Sequence, residues 1–353
     1  MPIPTAFANP GALDRVKLWV NSGRGMNFKT FRTIAFSLIC LLQTWPGLSA
    51  EAHLLEARRI WDAAPHNAFT DLIRFHDEFF CVFREGAGHV SPDGKIRVIA
   101  SKDGTNWNSI AQIAQAARDL RDPKIARMPD GSLMIYAAAA DRPKTPVTHQ
   151  SIATFSSDGR AWSEPIDVAD RNVWLWRVAW TDKVGYGVGY DTAGEKSVRL
   201  YKTSDGRKYE TVLETLFDEQ SPNESGLVFE PDGTLLCLLR RDGQPGHGLF
   251  GSAKAPYTKW EWKDVGAKIG GPQMLRLDDG RLVGATRLYD GGARASVVQI
   301  DRNTGRLTEL VKLPSGGDCS YPGLVFYQQQ LWVSYYSSHE GKTAIYLARV
   351  ALD

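Results

Sequence analysis

A few polar residues stand at the ends of apolar runs, where a strand presents a side chain instead of burying it. Glu224 opens Glu224-Ser-Gly-Leu-Val-Phe, and Arg240 closes Leu-Leu-Cys-Leu-Leu-Arg240. The Pro231-Asp232-Gly233 turn between them makes a hairpin, which returns its two ends to one place. A carboxylate and a guanidinium therefore meet. Tyr321 opens another such run in Cys319-Ser320-Tyr321-Pro322-Gly-Leu-Val-Phe. A phenol is a poor nucleophile at its ordinary pKa and gains reactivity from a neighbouring carboxylate base. Asp93 lies in the loop His89-Val-Ser-Pro-Asp93-Gly, and Arg294 follows Gly291-Gly292-Ala. Carboxylates can move protons and guanidinium groups can pair with anions, so these polar residues among apolar strands are the ones to examine for chemistry. Each residue also has a plainer reading: Glu224 on the surface, Arg240 structural, Tyr321 in the core, Asp93-Gly94 a bare turn.

The elements that position these residues repeat. Ser101-Lys-Asp103-Gly104-Thr-Asn-Trp107, Ser156-Ser-Asp158-Gly159-Arg-Ala-Trp162 and Thr203-Ser-Asp205-Gly206-Arg-Lys-Tyr209 share hydroxyl, Asp-Gly and aromatic at fixed offsets. The Asp accepts N–H groups two and three positions on, the Gly takes positive φ, and the aromatic folds over the turn. A second repeat, apolar strand then Asp-Gly then apolar strand, runs through Asp130-Gly131, Asp232-Gly233 and Asp279-Gly280. The period is roughly 50 residues, as in four-stranded propeller blades. About six units follow, starting near Ala68, Arg121, Val173, Glu224, Gly271 and Tyr321, with Asp301-Arg-Asn-Thr-Gly305 a remnant of the turn phrase. The sixth is short of a strand. Residues 54 to 61 are expected to supply it, although their pattern also suits a helix packed outside. Ile110 to Leu120 is the one other helical pattern.

The turn phrase resembles the Asp-box, or BNR repeat, of the sialidase (neuraminidase) superfamily, with one residue fewer before the aromatic. The resemblance covers residues 54 to 353 as a fold and implies an all-β, six-bladed β-propeller. At some five positions it also implies a mechanism. Tyr321 matches the nucleophile, Glu224 its base and Asp93 the acid/base, while Arg240 and Arg294 match arginines that hold the substrate carboxylate. A tyrosine nucleophile fits an anionic sugar, which would repel a carboxylate. The family's first strand carries a further arginine. Here that stretch is His66-Asn67-Ala68-Phe69-Thr70-Asp71-Leu72, so Arg84, Arg121 or Arg177 must stand in, or Asp71 binds a neutral sugar hydroxyl instead. Trp174, Trp176 and Trp180 offer either a sugar-stacking wall or half-buried strand packing. The expected partner is a glycan, hydrolysed at a terminal, sialic-acid-like sugar. The same fold also serves glycosidases of other sugars and carbohydrate-binding propellers without catalysis.

Composition narrows the classes. With 42 basic and 40 acidic residues the net charge is +2, which gives no field for nucleic acid or an anionic membrane. Met26, the basic Lys29 and Arg32, the apolar Ile34 to Leu42, and Ala50-Glu-Ala52 read in order as an export signal over residues 26 to 52. Residues 1 to 25 are then an upstream extension, 53 to 353 the working domain, and the location secreted or periplasmic, free of the membrane after cleavage. Cys40 falls in the signal; Cys81, Cys237 and Cys319 sit in or beside apolar runs and are expected as buried free thiols. No Cys/His group has zinc spacing and no phosphate loop is present, so neither metal nor cofactor is expected.

Overall fold

The computed structural model describes residues 52 to 353, apart from Pro143 and Glu195. The upstream extension, Cys40 and all of the export signal before Ala52 lie outside the described residues. Everything described is strand, turn or loop, in 23 antiparallel strands. The chain lays them down as consecutive meanders, since Asp-Gly and other short turns permit only antiparallel return.

The first sheet holds β2 (His66–Phe75), β3 (Glu78–Gly86), β4 (Lys95–Ser101) and β5 (Asn108–Ile113). The second holds β6 (Asp119–Arg127), β7 (Leu133–Asp141), β8 (Thr148–Ser156) and β9 (Ile166–Val168). A third contains β10 (Val173–Trp180), β11 (Gly185–Asp191), β12 (Val198–Thr203) and β13 (Glu210–Phe217). Next comes a seven-stranded sheet of β14 (Pro222–Phe229), β15 (Leu235–Arg241), β16 (His247–Ala253), β17 (Glu261–Arg276), β18 (Leu282–Leu288), β19 (Arg294–Ile300) and β20 (Leu307–Lys312). The long β17 serves two partners. Its Glu261 to Lys268 half pairs with β16 and its Ile269 to Arg276 half with β18, so this sheet is two four-stranded units sharing one strand. In the last sheet β21 (Cys319–Tyr327), β22 (Gln330–Ser337) and β23 (Ala344–Leu352) are joined by β1 (Ala52–Trp61), which pairs with β23 from Ala52↔Leu352 to Trp61↔Ile345. Residues 54 to 61 are therefore strand and not helix, and they cover an edge that β23 would otherwise expose.

Ile110 to Leu120 also departs from the helical pattern. Ile113 pairs with Ile96 in β4 and is buried with it between the first two sheets, so sheet pairing and burial override the helix propensity of this Ala- and Gln-containing stretch.

Hydrophobic cores lie between units. Val82 and Ile135 share one core, Met134 and Leu175 the next, Val188 and Leu235 the third, Leu238 and Ile269 the fourth, and Val283 and Val333 the fifth. The sixth joins the last sheet to the first through Leu347 and Phe79. The turn phrases pin these interfaces. Asp158 Oδ1 accepts the N–H groups of Arg160 (2.8 Å) and Ala161 (2.9 Å), and Trp162 Nε1 donates to Gly159 O. Asp103 and Asp205 make the same pair of contacts, and Asp301 accepts from Asn303 and Thr304 without an aromatic lid. Gly159 has φ 76°, and a Cβ there would meet the Phe80 ring of the preceding sheet at 2.4 Å. Only glycine allows that approach.

Candidate active site

The first strands of successive units touch in a closed circuit: β2 with β6, β6 with β10, β10 with β14, β14 with β17, β17 with β21 and β21 with β2. Each breaks register at the same level. The breaks fall between Ala68 and Asp71, Arg121 and Lys124, Leu175 and Arg177, Pro222 and Ser225, Gly270 and Gln273, and Ser320 and Gly323. A bulge leaves a residue unpaired and re-aims its side chain. Phe69 (φ 64°), Asp122 (50°), Gly271 (57°), Ser320 (98°) and Tyr321 (51°) are the positive-φ residues of these bulges. In three of them a proline follows, at Pro123, Pro272 and Pro322, where the missing N–H costs no ladder bond.

Tyr321 is held in its strained conformation from two sides. Thr70 Oγ1 donates to Tyr321 O (2.8 Å), and Arg177 donates to Pro322 O (3.0 Å). Gly271 faces the ring so closely that a Cβ would lie 2.9 Å from Tyr321 Cγ. The phenol is thereby aimed at Glu224. Tyr321 OH donates to Glu224 Oε1 at 2.6 Å, while Glu224 Oε2 accepts from Arg240 (2.7 Å) and from the Gly271 N–H (2.7 Å). Arg240 also reaches Tyr321 OH at 3.2 Å. Arg287, at the end of β18, lies over the Tyr321 ring with its guanidinium carbon 5.4 Å from the centroid and donates through Nε to Cys319 O (2.7 Å). Phe69 and Trp176 close the sides of the phenol, with ring centroids at 5.2 and 5.7 Å.

The charges of this cluster are ordered. Burial pushes the Glu224 carboxyl up, but Arg240 and the Tyr321 and Gly271 hydrogen bonds outweigh it and leave it below its ordinary value. Burial and the Glu224 charge raise Tyr321 well above a normal phenol, against the pull of Arg240 and Arg287. The resting pair is thus a carboxylate accepting from a neutral phenol. That is the state from which a phenol can attack while its proton crosses the 2.6 Å hydrogen bond to the base.

The other sequence candidates scatter. Asp71 Oδ2 pairs with Arg177 (3.0 Å) and accepts the Ile125 N–H (3.0 Å), tying three units behind the site. Arg84 is fully buried; it donates to Asp119 (2.9 Å), Gly88 O (2.8 Å) and Ser91 Oγ (2.9 Å), which leaves nothing for a substrate. Arg294 binds Glu309 (2.8 Å) and Asp290, and with His247 and Lys268 lines a separate cavity of about 450 Å³. Asp93 accepts the Ala87 N–H with both oxygens at 3.1 Å. Ser91 and that contact hold its carboxyl below the usual range. Trp180 packs on Gly185 near the outer end of its hairpin, away from Trp174 and Trp176.

Arg287 and Lys124, not singled out from sequence, stand in the mouth with Arg121, which the sequence offered as a stand-in for the missing arginine. The argument that joins Glu224 to Arg240 across a hairpin, applied to the next unit, joins Gly270 to Arg287, and that pairing is observed. Lys124 is fully buried over the Trp176 ring at 4.6 Å, and burial together with Arg177 lowers it to about 8. Arg121 lies over Phe69 and Trp174 at 5.4 and 5.9 Å, and its nearest carboxylates, Asp119 and Asp122, are both 3.8 Å away. Its Nε has no hydrogen-bond partner among the described residues. Nor have His149 Nδ1, Trp174 Nε1, Trp176 Nε1 and Arg177 Nε. Buried donors left open in one neighbourhood suit a polar guest.

No family model matches the sequence, and no curated protein matches it either. Solved structures do. A Dyadobacter fermentans protein of unknown function superposes with a TM-score of 0.75 at 19% identity, covering 86% of this chain and 99% of that one. The Fusarium graminearum GH93 α-L-arabinofuranosidase, in complex with arabinobiose, gives 0.69 at 13% identity over 85% and 98%. The Trypanosoma rangeli sialidase, bound to the inhibitor DANA, gives 0.63 at 11% identity over 84% of this chain and 58% of that chain. The fold is that of the β-propeller glycosidases. In such a propeller the circuit of first strands is the central channel, and the Tyr321, Glu224 and Arg240 cluster lies at their bulges.

Proposed function

We propose that the protein is a retaining exo-glycosidase on a six-bladed propeller, cutting a terminal sugar that carries an anionic, sialic-acid-like group. The observation that carries this reading is the 2.6 Å contact from Tyr321 OH to an ionised Glu224 that Arg240 also holds. Six units, six inter-unit cores and the Asp-box-like turns support the blade count, and the likeness to propeller glycosidases supports a glycan substrate.

In the reaction Tyr321 Oη bonds to the anomeric carbon as its proton passes to Glu224 Oε1. The glycosidic C–O bond breaks, and the departing oxygen takes a proton from Asp93. Water then attacks the anomeric carbon, giving its proton to Asp93, and Tyr321 leaves with the proton returned by Glu224. Asp93 must first let go of the Ala87 N–H and take up a proton, so substrate binding has to rearrange its loop. Arg240, Arg287 and Arg121 take the anionic group. Arg294, engaged by Glu309 and Asp290, does not. Export under the residue 26 to 52 signal belongs to the same reading, and N-terminal sequencing of protein from its host should find a terminus at or near His53.

The deciding assay is a screen of aryl α-sialosides beside uronic and neutral aryl glycosides. Sialoside turnover that is lost in Tyr321→Phe and strongly raised in KM by Arg287→Ala is the expected result. Asp93→Asn should spare good leaving groups and cripple natural linkages. Turnover of a neutral glycoside that survives Arg287→Ala would instead place the protein among glycosidases of another sugar, and no turnover with tight oligosaccharide binding would make it a binding module.

A further inference from the structure

Beside the mouth, three chain segments far apart in sequence bring ligand-type atoms together. His66 comes from the start of β2, His89 from the loop after β3, and Asp318 from the residue before β21. Asp318 Oδ2 lies 2.7 Å from His89 Nδ1 and 3.3 Å from His66 Nε2, and the three atoms all fall within 4.8 Å of one another. We propose that His66, His89 and Asp318 form a binding site for one divalent transition-metal ion of the zinc class. Nothing in the sugar-cleaving reading requires it.

The donor set, two imidazoles and a carboxylate, is one that zinc accepts readily. Tetrahedral donors at about 2.0–2.1 Å from zinc stand roughly 3.3 Å apart, which is the spacing of the His66 and Asp318 atoms, and His89, now 2.7 Å from Asp318, has to shift to reach it. The carboxylate is already prepared. Its other oxygen accepts from Tyr336 OH (2.6 Å), and its own N–H donates to Ser338 Oγ (2.9 Å), the outer-shell support that fixes a metal ligand. His66 is 8% exposed and its Nδ1 has no hydrogen-bond partner among the described residues. The His66 imidazole packs against Phe69 and His89, but its one polar contact is the 3.3 Å approach to Asp318, and a coordinate bond would satisfy the ring nitrogen better than that contact does. The His89 side chain is half exposed, which leaves one side of the site open to water or a substrate oxygen. Three protein ligands and an open position is the arrangement of zinc sites that act on bound molecules. These residues lie at 66, 89 and 318, a separation that no short-range ligand spacing in the sequence displays.

The test is calorimetric titration of chelator-treated full-length protein with Zn²⁺ alone, repeated with Co²⁺ to read visible d–d absorption. One ion per chain is expected, with cobalt bands of a low-coordinate nitrogen–oxygen site. His89→Ala, exposed and safe for folding, and the near-isosteric Asp318→Asn should each lose more than the roughly 10–100-fold that outer-shell changes cost, and Tyr336→Phe should lose within that range. His247→Ala, at an exposed histidine elsewhere, should bind as the parent does. No zinc uptake with protein and metal both at about 1 mM, or uptake unchanged in His89→Ala and Asp318→Asn, overturns the proposal and leaves the trio a hydrogen-bonded His–Asp–His cluster.

Discussion

The outer turns and the inner bulges of this molecule use the same devices to opposite ends. Both contain residues of positive φ, aromatics that are buried or half-buried, and carboxylates that accept backbone N–H groups. In the turn at Asp158 the left-handed residue is glycine, the Asp158 carboxylate and the Trp162 indole find their partners within the seven-residue phrase, and the aromatic folds over the turn. Around the channel the left-handed residues include Phe69, Asp122 and Tyr321, their support comes from other units, and several buried donors stay open. Strain is tolerated where the rest of the ring over-determines it, and it marks the place where a guest completes the bonding.

Mutations at the two regions should separate function from stability. Tyr321→Phe and Glu224→Gln are expected to lower kcat by several orders of magnitude, up to about 10⁶, with an unfolding midpoint close to the parent's. If either unfolds the protein, Tyr321 is a core residue and the comparison fails. Arg84→Met works the other way. It leaves Asp119 buried with one partner fewer, so a stability loss of about 3–5 kcal/mol is expected in urea, with catalysis kept in the folded fraction.

Gly159→Ala should cost about 1–3 kcal/mol, from the positive φ and from contact with Phe80, again with kcat unchanged. Arg121→Met sharpens the contrast: removing a poorly paired buried cation should not lower the midpoint, while KM for an anionic substrate rises about 10–100-fold, as loss of a charged hydrogen bond predicts. A fall in stability with KM unchanged would assign Arg121 to the scaffold.

Lys124 gives the mildest effect, a slope instead of a step. The unfolded chain keeps its proton to about 10.5 and the folded chain releases it near 8, so the unfolded state binds more protons across that window. Stability contributed by this group therefore rises as pH climbs from 8 to 10.5. Urea midpoints measured through that range should show the rise in the parent and a flatter profile in Lys124→Met.

Much of the fold is local and was legible. The Asp-Gly turns declare where each hairpin reverses, and alternation declares strands, because both signals operate within about ten residues. The short last unit pointed to β1. The pairing of Glu224 with Arg240 was equally open to sequence, since a hairpin's geometry fixes it, and the same rule on the next hairpin pairs Gly270 with Arg287.

What the chain alone could not give was anything that depends on closure of the ring. Asp71 meeting Arg177, Tyr321 held by Thr70, Arg84 enclosed by Asp119, and His66 and His89 meeting at Asp318 join segments separated by 35 to 252 residues. Such contacts have no periodic signature. Sequence determined the units and the residues at their inner ends, because those follow from hydrogen bonds made within a hairpin. Only the tertiary structure decided which charges are committed to the scaffold and which remain to meet a ligand, because burial and pairing are properties of neighbouring units packed face to face.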